Sequence, residues 1–231
     1  MATHGKKACV LFFAKAPKRA DVKTRLAAEV GKKAAVELYR CFVEDTFSLL
    51  QRLDIPVRVY FHPAEAEADF VQWLGGEYNF IPQAGENLGA RIKNAFYDAF
   101  EAGFSICLAL GADSPDVPAA YIELALAALE SDRVVIGPAS DGGYYLVGFT
   151  KESFVPESFE NILWSTPLVF GQTIEILKKR GSNIYQLPRW YDIDTLADLN
   201  LLMLRNKHTY FRRSKTFRYV KANRLWSKVN V

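Results

Sequence analysis

Five cations crowd one short stretch. In "VLFFAKAPKRADVKTRLA" (10–27) an apolar run stops at Lys15, and Lys18, Arg19, Lys23 and Arg25 follow before Leu26. Cations placed after a buried strand and near a helix start oppose the helix dipole, so an anion is the simplest reason for them. Carboxylates recur after other apolar runs: Asp113 and Asp116 in "GADSPDVP", Asp141 in "PASDGGYY", Asp192 and Asp194 in "RWYDIDTLADL". Cations and carboxylates gathered at one crevice suit a metal-bound phosphate ligand. Lys and Arg neutralise phosphate oxygens, and carboxylates hold a hard divalent cation that bridges them. Mg²⁺ (or Mn²⁺) is expected rather than zinc, because the donors are oxygens with no His or Cys beside them. Asp113 and Asp194, far apart in sequence but both past strand ends, could supply the ligands.

These residues meet only if the elements before them share a sheet. Apolar or β-rich runs predict strands over 8–14, 57–62, 79–83, 105–111, 133–139, 144–150 and 183–188. Helical spacing predicts helices over 31–53, 64–74, 87–103, 118–130, 167–181 and 195–206. Alternating strands and helices imply an α/β fold, a three-layer α/β/α sandwich with a mostly parallel central sheet. In such sheets the ligand crevice lies beyond the carboxyl ends of the strands, where the charged loops stand.

The 231 residues are 50% apolar and 24% charged, which suits one domain with a large core. Cys9, Cys41 and Cys107 form no C-x-x-C pair, so neither a zinc site nor a disulfide framework is expected. They read as reduced core residues of a cytoplasmic protein. "ACVLFFA" is too short for a signal sequence or a membrane span. His4, His62 and His208 have no partner visible in sequence, so no histidine chemistry is invoked. Nine of the 29 Lys and Arg, and none of the 26 Asp and Glu, lie from Arg205 onward, leaving the first 204 residues a balance of −6. The expected division is a nucleotide-binding domain over 1–204 and a basic, aromatic, helical tail over 205–231. The commoner fate of such a tail is packing on its own domain or on a second copy in a homodimer. Contact with an anionic membrane is the alternative, and nucleic acid is disfavoured.

Six segments in order carry a resemblance: "FAKAP…VKTRL", "QAGENLGARI", "GADSPDVP", "GPASDGGYYLVG", "WSTP" and "YDIDTLADL". Over about residues 8–202 the chain resembles the bacterial DUF2064 group of glycosyltransferase-A-like proteins, in the nucleotide-diphospho-sugar transferase superfamily. The resemblance implies that Lys15, Lys23 and Arg25 cradle phosphates and that Gln83 and Gly89 line the base pocket. It places Asp113 at the superfamily's metal-binding aspartate and Asp194 at a second metal ligand of related nucleotidyltransferases. Asp141, with Gly142 and Gly143, would face the sugar or a small-molecule acceptor. Asp113, Asp141 and Lys23 are then the expected catalytic residues. The chain departs from the family pattern in lacking Pro-Gly near Arg19-Ala20. Asp21 would also repel a phosphate unless it points outward.

Structural roles compete at several positions. Asp113 and Asp116 could shape a turn, and Asp116 before Val117-Pro118 fits a helix start better. Asp194 could help start the last helix, leaving Asp192 as the spare carboxylate. Asp141 could serve only a hairpin turn. Trp164 reads as a core anchor, and Ser165 or Thr166 as a helix cap. Asp141 or Asp116 would act if a base is needed. The expected activity is Mg-dependent transfer from a nucleotide-diphospho-sugar. The alternatives are nucleotidyl transfer, which joins an NTP to a phosphorylated metabolite with release of pyrophosphate, and a non-catalytic scaffold working through the tail.

Overall fold

The computed structural model describes residues 7–131 and 133–226. His4, and the extreme ends of the segments expected over 1–204 and 205–231, lie outside the described residues. Seven strands form one sheet: β1 (Ala8–Lys15), β2 (Val57–His62), β3 (Asn79–Pro82), β4 (Ile106–Gly111), β5 (Val134–Pro138), β6 (Tyr144–Thr150) and β7 (Ile184–Gln186). Among the described residues eight α-helices surround it: α1 (Thr24–Val30), α2 (Lys32–Arg52), α3 (Glu67–Leu74), α4 (Leu88–Glu101), α5 (Ala119–Glu130), α6 (Val169–Lys179), α7 (Leu196–Arg205) and α8 (Lys215–Ala222). The sequence reading lacked α1, which follows directly on the cationic loop.

Strand β1 shows why the layers form. Its side chains alternate between faces, as a pleated strand requires. Val10, Phe12 and Ala14 pack with Tyr39, Val43, Phe47 and Leu50 of α2, Phe70 of α3 and Leu129 of α5. Cys9 and Leu11 pack on the other face with Ile92, Phe96 and Phe100 of α4 and Leu177 of α6. Both faces are covered, so the strand reads as a continuous apolar run. The three cysteines are free, Cys9 and Cys107 being buried.

The strand order is β3-β2-β1-β4-β6-β5-β7. β6 runs antiparallel to both neighbours, β4 and β5, and every other pairing is parallel. From β1 the chain first winds outward to β2 and β3, then crosses back to β4. The gap between the ends of β1 and β4 is therefore the topological switch point, where open α/β sheets bind ligands. Lys15 ends β1, and Asp113 lies just past β4.

The tail packs on the domain. Phe217 and Val220 of α8 join Leu38 and Phe42 of α2, Leu26 of α1 and Leu202 and Met203 of α7 in a third apolar cluster. The Asp45 carboxylate of α2 accepts hydrogen bonds from the Lys215 and Thr216 amides, both 2.8 Å, at the first turn of α8, where a negative charge also suits the helix dipole. Lys215, Arg218 and Lys221 remain on the exposed face. No helix among the described residues is long and apolar enough to cross a membrane.

Candidate active site

The loop after β1 sorts its charges by direction. The Lys15 amide donates to the Tyr39 hydroxyl at 2.8 Å, which fastens the strand end to α2. Arg19 turns away to pair with Asp69 of α3. Asp21 lies 3.4 Å from Lys32 and its side chain is 75% exposed. It points outward, so the repulsion feared for a phosphate does not arise. Lys23 then takes a left-handed backbone, φ 50°, ψ 47°, immediately before α1. That turn drives its side chain inward.

The Lys23 ammonium ends between two carboxylates, 2.5 Å from Asp113 Oδ1 and 3.0 Å from Asp194 Oδ1. The Lys23 side chain is only 3% exposed. Arg25 takes the other oxygen of Asp194 at 2.6 Å. Burial alone would lower the Lys23 pKa, but the charges of Asp113 and Asp194 outweigh it and the net shift is upward. Burial likewise raises the Asp113 carboxyl, yet Lys23, with a smaller contribution from Lys15, brings it below its ordinary value. Lys15, Lys23, Arg25, Asp113 and Asp194 therefore meet at one edge of the sheet.

The competing structural roles separate cleanly. Asp194 does not cap α7: Thr195 does, its hydroxyl accepting from the Asp198 amide while the Asp198 carboxylate accepts from the Thr195 amide. Asp116 is structural. Its carboxylate, 1% exposed, accepts from Arg205 at 2.6 and 2.8 Å, from Asn206 at 2.6 Å and from the Trp190 indole at 3.1 Å. With every lone pair engaged it has no capacity to act as a base, and that option is withdrawn. Asp141 closes the β5–β6 hairpin by accepting from the Gly143 amide at 2.8 Å. The Thr166 hydroxyl stands just before α6, accepting from the Leu168 amide at 3.3 Å and donating to the Leu163 carbonyl at 2.7 Å.

Asp192 is the spare carboxylate, and it is not idle. It accepts from the Ser114 hydroxyl at 2.8 Å. Burial, with the charges of Asp141 and Asp113 added, pushes it up to about 7. The crevice thus sets Asp113, Asp194 and a partly protonated Asp192 against Lys15, Lys23 and Arg25. Its oxygen-only donors fit a hard cation, and the Lys23 ammonium marks the point between Asp113 and Asp194 where one is already tolerated. Among the described residues no three Asp, Glu, His or Cys enclose a metal by themselves. Mg²⁺ needs only one or two carboxylates, with water and phosphate completing its shell.

Gln83 and Gly89 are both held by contacts within the domain. The Gln83 amide donates to the Tyr60 carbonyl at 2.9 Å and the Ala14 carbonyl at 3.4 Å, bracing the ends of β1 and β2. Gly89, in the first turn of α4, lies so close to the 156–164 segment that a Cβ would stand 2.2 Å from the Phe159 carbonyl oxygen and 2.7 Å from the Trp164 indole nitrogen. Two residues missed from sequence belong here. His62 pairs in register with Lys15. Burial lowers its pKa, and the charges of Arg91 and Lys15 lower it further. Arg91 was detectable: it is a cation in the first turns of a helix, against the dipole, the same signal that singled out Lys23 and Arg25.

The comparisons identify the family and the fold. A family model described as "Uncharacterized protein conserved in bacteria (DUF2064)" matches residues 46–166. A proposed nucleotide-diphospho-sugar transferase from Desulfovibrio desulfuricans G20 is 40% identical, with a TM-score of 0.91 over 95% of this chain and 96% of that one. A cytidylyltransferase from Leptospira borgpetersenii is 12% identical, with a TM-score of 0.54 over 95% and 94% of the two chains. The 4-diphosphocytidyl-2C-methyl-D-erythritol synthase from Anaerococcus prevotii is 13% identical, with a TM-score of 0.54 over 84% and 95%. The last two share the fold alone. No curated protein matches the chain. With the family model spanning Thr46 to Thr166, over half of the chain, and a relative matching nearly end to end, the chain belongs to the DUF2064 family.

Proposed function

We propose that the crevice between the ends of β1 and β4 binds the phosphates of a nucleotide donor and transfers a group from it, the donor being a nucleotide-diphospho-sugar. One observation carries this reading: Lys15, Lys23 and Arg25 converge with Asp113 and Asp194 at the switch point of the sheet. The relationship to a proposed nucleotide-diphospho-sugar transferase supports it.

Asp113 and Asp194 would hold Mg²⁺ or Mn²⁺. When bound, that ion supplies Lewis-acid stabilisation of charge on the departing phosphate. The chain's own cations do the rest. Lys15, Lys23 and Arg25 face the oxygens on which charge builds as the anomeric carbon–oxygen bond breaks and its electron pair stays with the nucleoside diphosphate. The acceptor hydroxyl enters beside the β5–β6 hairpin, where the Asp141 carboxylate, aligned by the Gly143 amide, takes the proton. Gln83 and Gly89 shape the wall against which the base lies.

Nucleotidyl transfer is the second reading, and one observation favours it. Arg91 adds a further positive charge beside His62 and Lys15. The fold is also that of a cytidylyltransferase and of a 4-diphosphocytidyl-2C-methyl-D-erythritol synthase. Thermal shift against a panel of NTPs and NDP-sugars with Mg²⁺ separates the two readings. Stabilisation by NDP-sugars alone supports glycosyl transfer, stabilisation by NTPs alone supports nucleotidyl transfer, and no shift with either removes both.

His62 offers a probe of the same site. Its folded pKa is below its unfolded value, so as pH falls through about 6.5 the unfolded chain takes up a proton before the native one does, and stability declines. A phosphate ligand among Lys15, Arg91 and His62 should reverse the shift. In a histidine NMR titration the His62 midpoint is expected to rise on adding CTP or pyrophosphate. An unmoved midpoint would place the phosphate elsewhere.

A further inference from the structure

Lys23 sits unlike a lysine waiting for phosphate. Its side chain is 3% exposed, and its ammonium holds Asp113 Oδ1 and Asp194 Oδ1 together. Its backbone is left-handed, φ 50°, a conformation disfavoured for a residue with a Cβ and retained where the surroundings over-determine it. The two carboxylates it bridges are the same two that fit a divalent cation. An ammonium and a metal cannot share that point. Two features make the position exchangeable. The Asp113 side chain is 55% exposed, so the bridge opens directly onto the crevice. Asp194 keeps Arg25 on its other oxygen at 2.6 Å, so it stays placed when Lys23 leaves.

We propose that Lys23 is an exchangeable cation. With the phosphate site empty, its ammonium bridges Asp113 and Asp194. When a diphosphate enters, the ammonium moves to a phosphate oxygen, and the two carboxylates pass to a divalent cation. The inference rests on the transferase reading above and adds an order to it: phosphate first, metal with it or after it. By linkage the two ligands then bind cooperatively, each raising the affinity of the other by the same factor. The crevice would hold no metal until there is a phosphate for the metal to bridge.

The test uses Mn²⁺ with no phosphate present, following the electron paramagnetic resonance signal of the free ion. Wild-type protein is expected to bind Mn²⁺ weakly. Lys23→Met should bind it at least about tenfold more tightly, and adding Asp113→Asn to that variant should abolish the gain. If the wild type alone binds Mn²⁺ as tightly as Lys23→Met, the lysine does not hold the site. The exchange is then overturned while a metal-assisted transferase stands. If neither protein binds Mn²⁺, with or without pyrophosphate, the metal leaves the proposed function and the exchange falls with it. Should Lys23→Met fail to fold, Lys23→Gln removes the charge and keeps a hydrogen-bond donor on a side chain one atom shorter. The wild type carries an independent check. Mn²⁺, pyrophosphate and protein together should relax water protons faster than Mn²⁺–pyrophosphate in buffer, and no excess overturns the proposal.

Discussion

Asp116→Ala is expected to lower stability by about 3–5 kcal/mol, the range for removing one partner of a buried ion pair. For a chain of this length that is a fall in Tm of roughly 6–20 °C. Arg205, Asn206 and the Trp190 indole all donate to this carboxylate, which is 1% exposed. Alanine leaves a partly buried guanidinium and two further donors with no acceptor, and the cost of that exceeds the net worth of the bonds themselves. The loss should extend to the crevice, because Asp116 ties the loop bearing Asp113 to the end of α7. Asp116→Asn keeps one acceptor oxygen and should cost less. Differential scanning calorimetry of both variants decides the matter. A Tm within about 2 °C of wild type for the alanine variant would mean that the Asp116 cluster contributes little to holding the tail.

Asp113→Asn should do the opposite: leave the fold intact and weaken binding. Lys23 retains Asp194, and Asp194 retains Arg25, so the loop keeps its position. What is lost is a charge that both the lysine and a divalent cation require. In Mg²⁺, nucleotide affinity measured by calorimetric titration should drop roughly 100-fold, the upper part of the range for coupling between two ligands. With Mg²⁺ removed by a chelator, the drop should vanish, because Lys23 is freed from one of its carboxylates to meet phosphate. Equal affinity of variant and wild type in Mg²⁺ would put the metal away from Asp113. A drop that persists without Mg²⁺ would instead make Asp113 a determinant of the loop's shape.

Much of the architecture was legible in the chain itself. Continuous apolar runs such as "SICLALG" mark strands buried on both faces, and helical spacing marks the layers that cover them. Charged residues placed just past those runs had to meet at one edge, because parallel strands all end on the same side. That rule alone brings Lys15 of β1 and the Asp113 loop of β4 together, and the strand order puts them side by side. Helix α1 escaped notice because seven residues beginning in a cationic stretch give too short a period to read.

Roles within the edge were not legible. Asp192 and Asp194 stand two residues apart in one loop, yet one accepts from Ser114 and the other from Lys23 and Arg25. Asp113 and Asp116 share a loop, and one faces the crevice while the other is sealed under Arg205. Lys23 was recognisable as a cation after a strand, but not as the bridge between two distant carboxylates. Periodicity and turn chemistry are local, set by neighbours along the chain, so the sequence alone determined the elements and the edge at which they end. Which carboxylate meets which cation depends on sheet order, on the left-handed turn at Lys23 and on the packing of α7 and the tail. Those are contacts between residues far apart in the chain, and only the tertiary structure decided them.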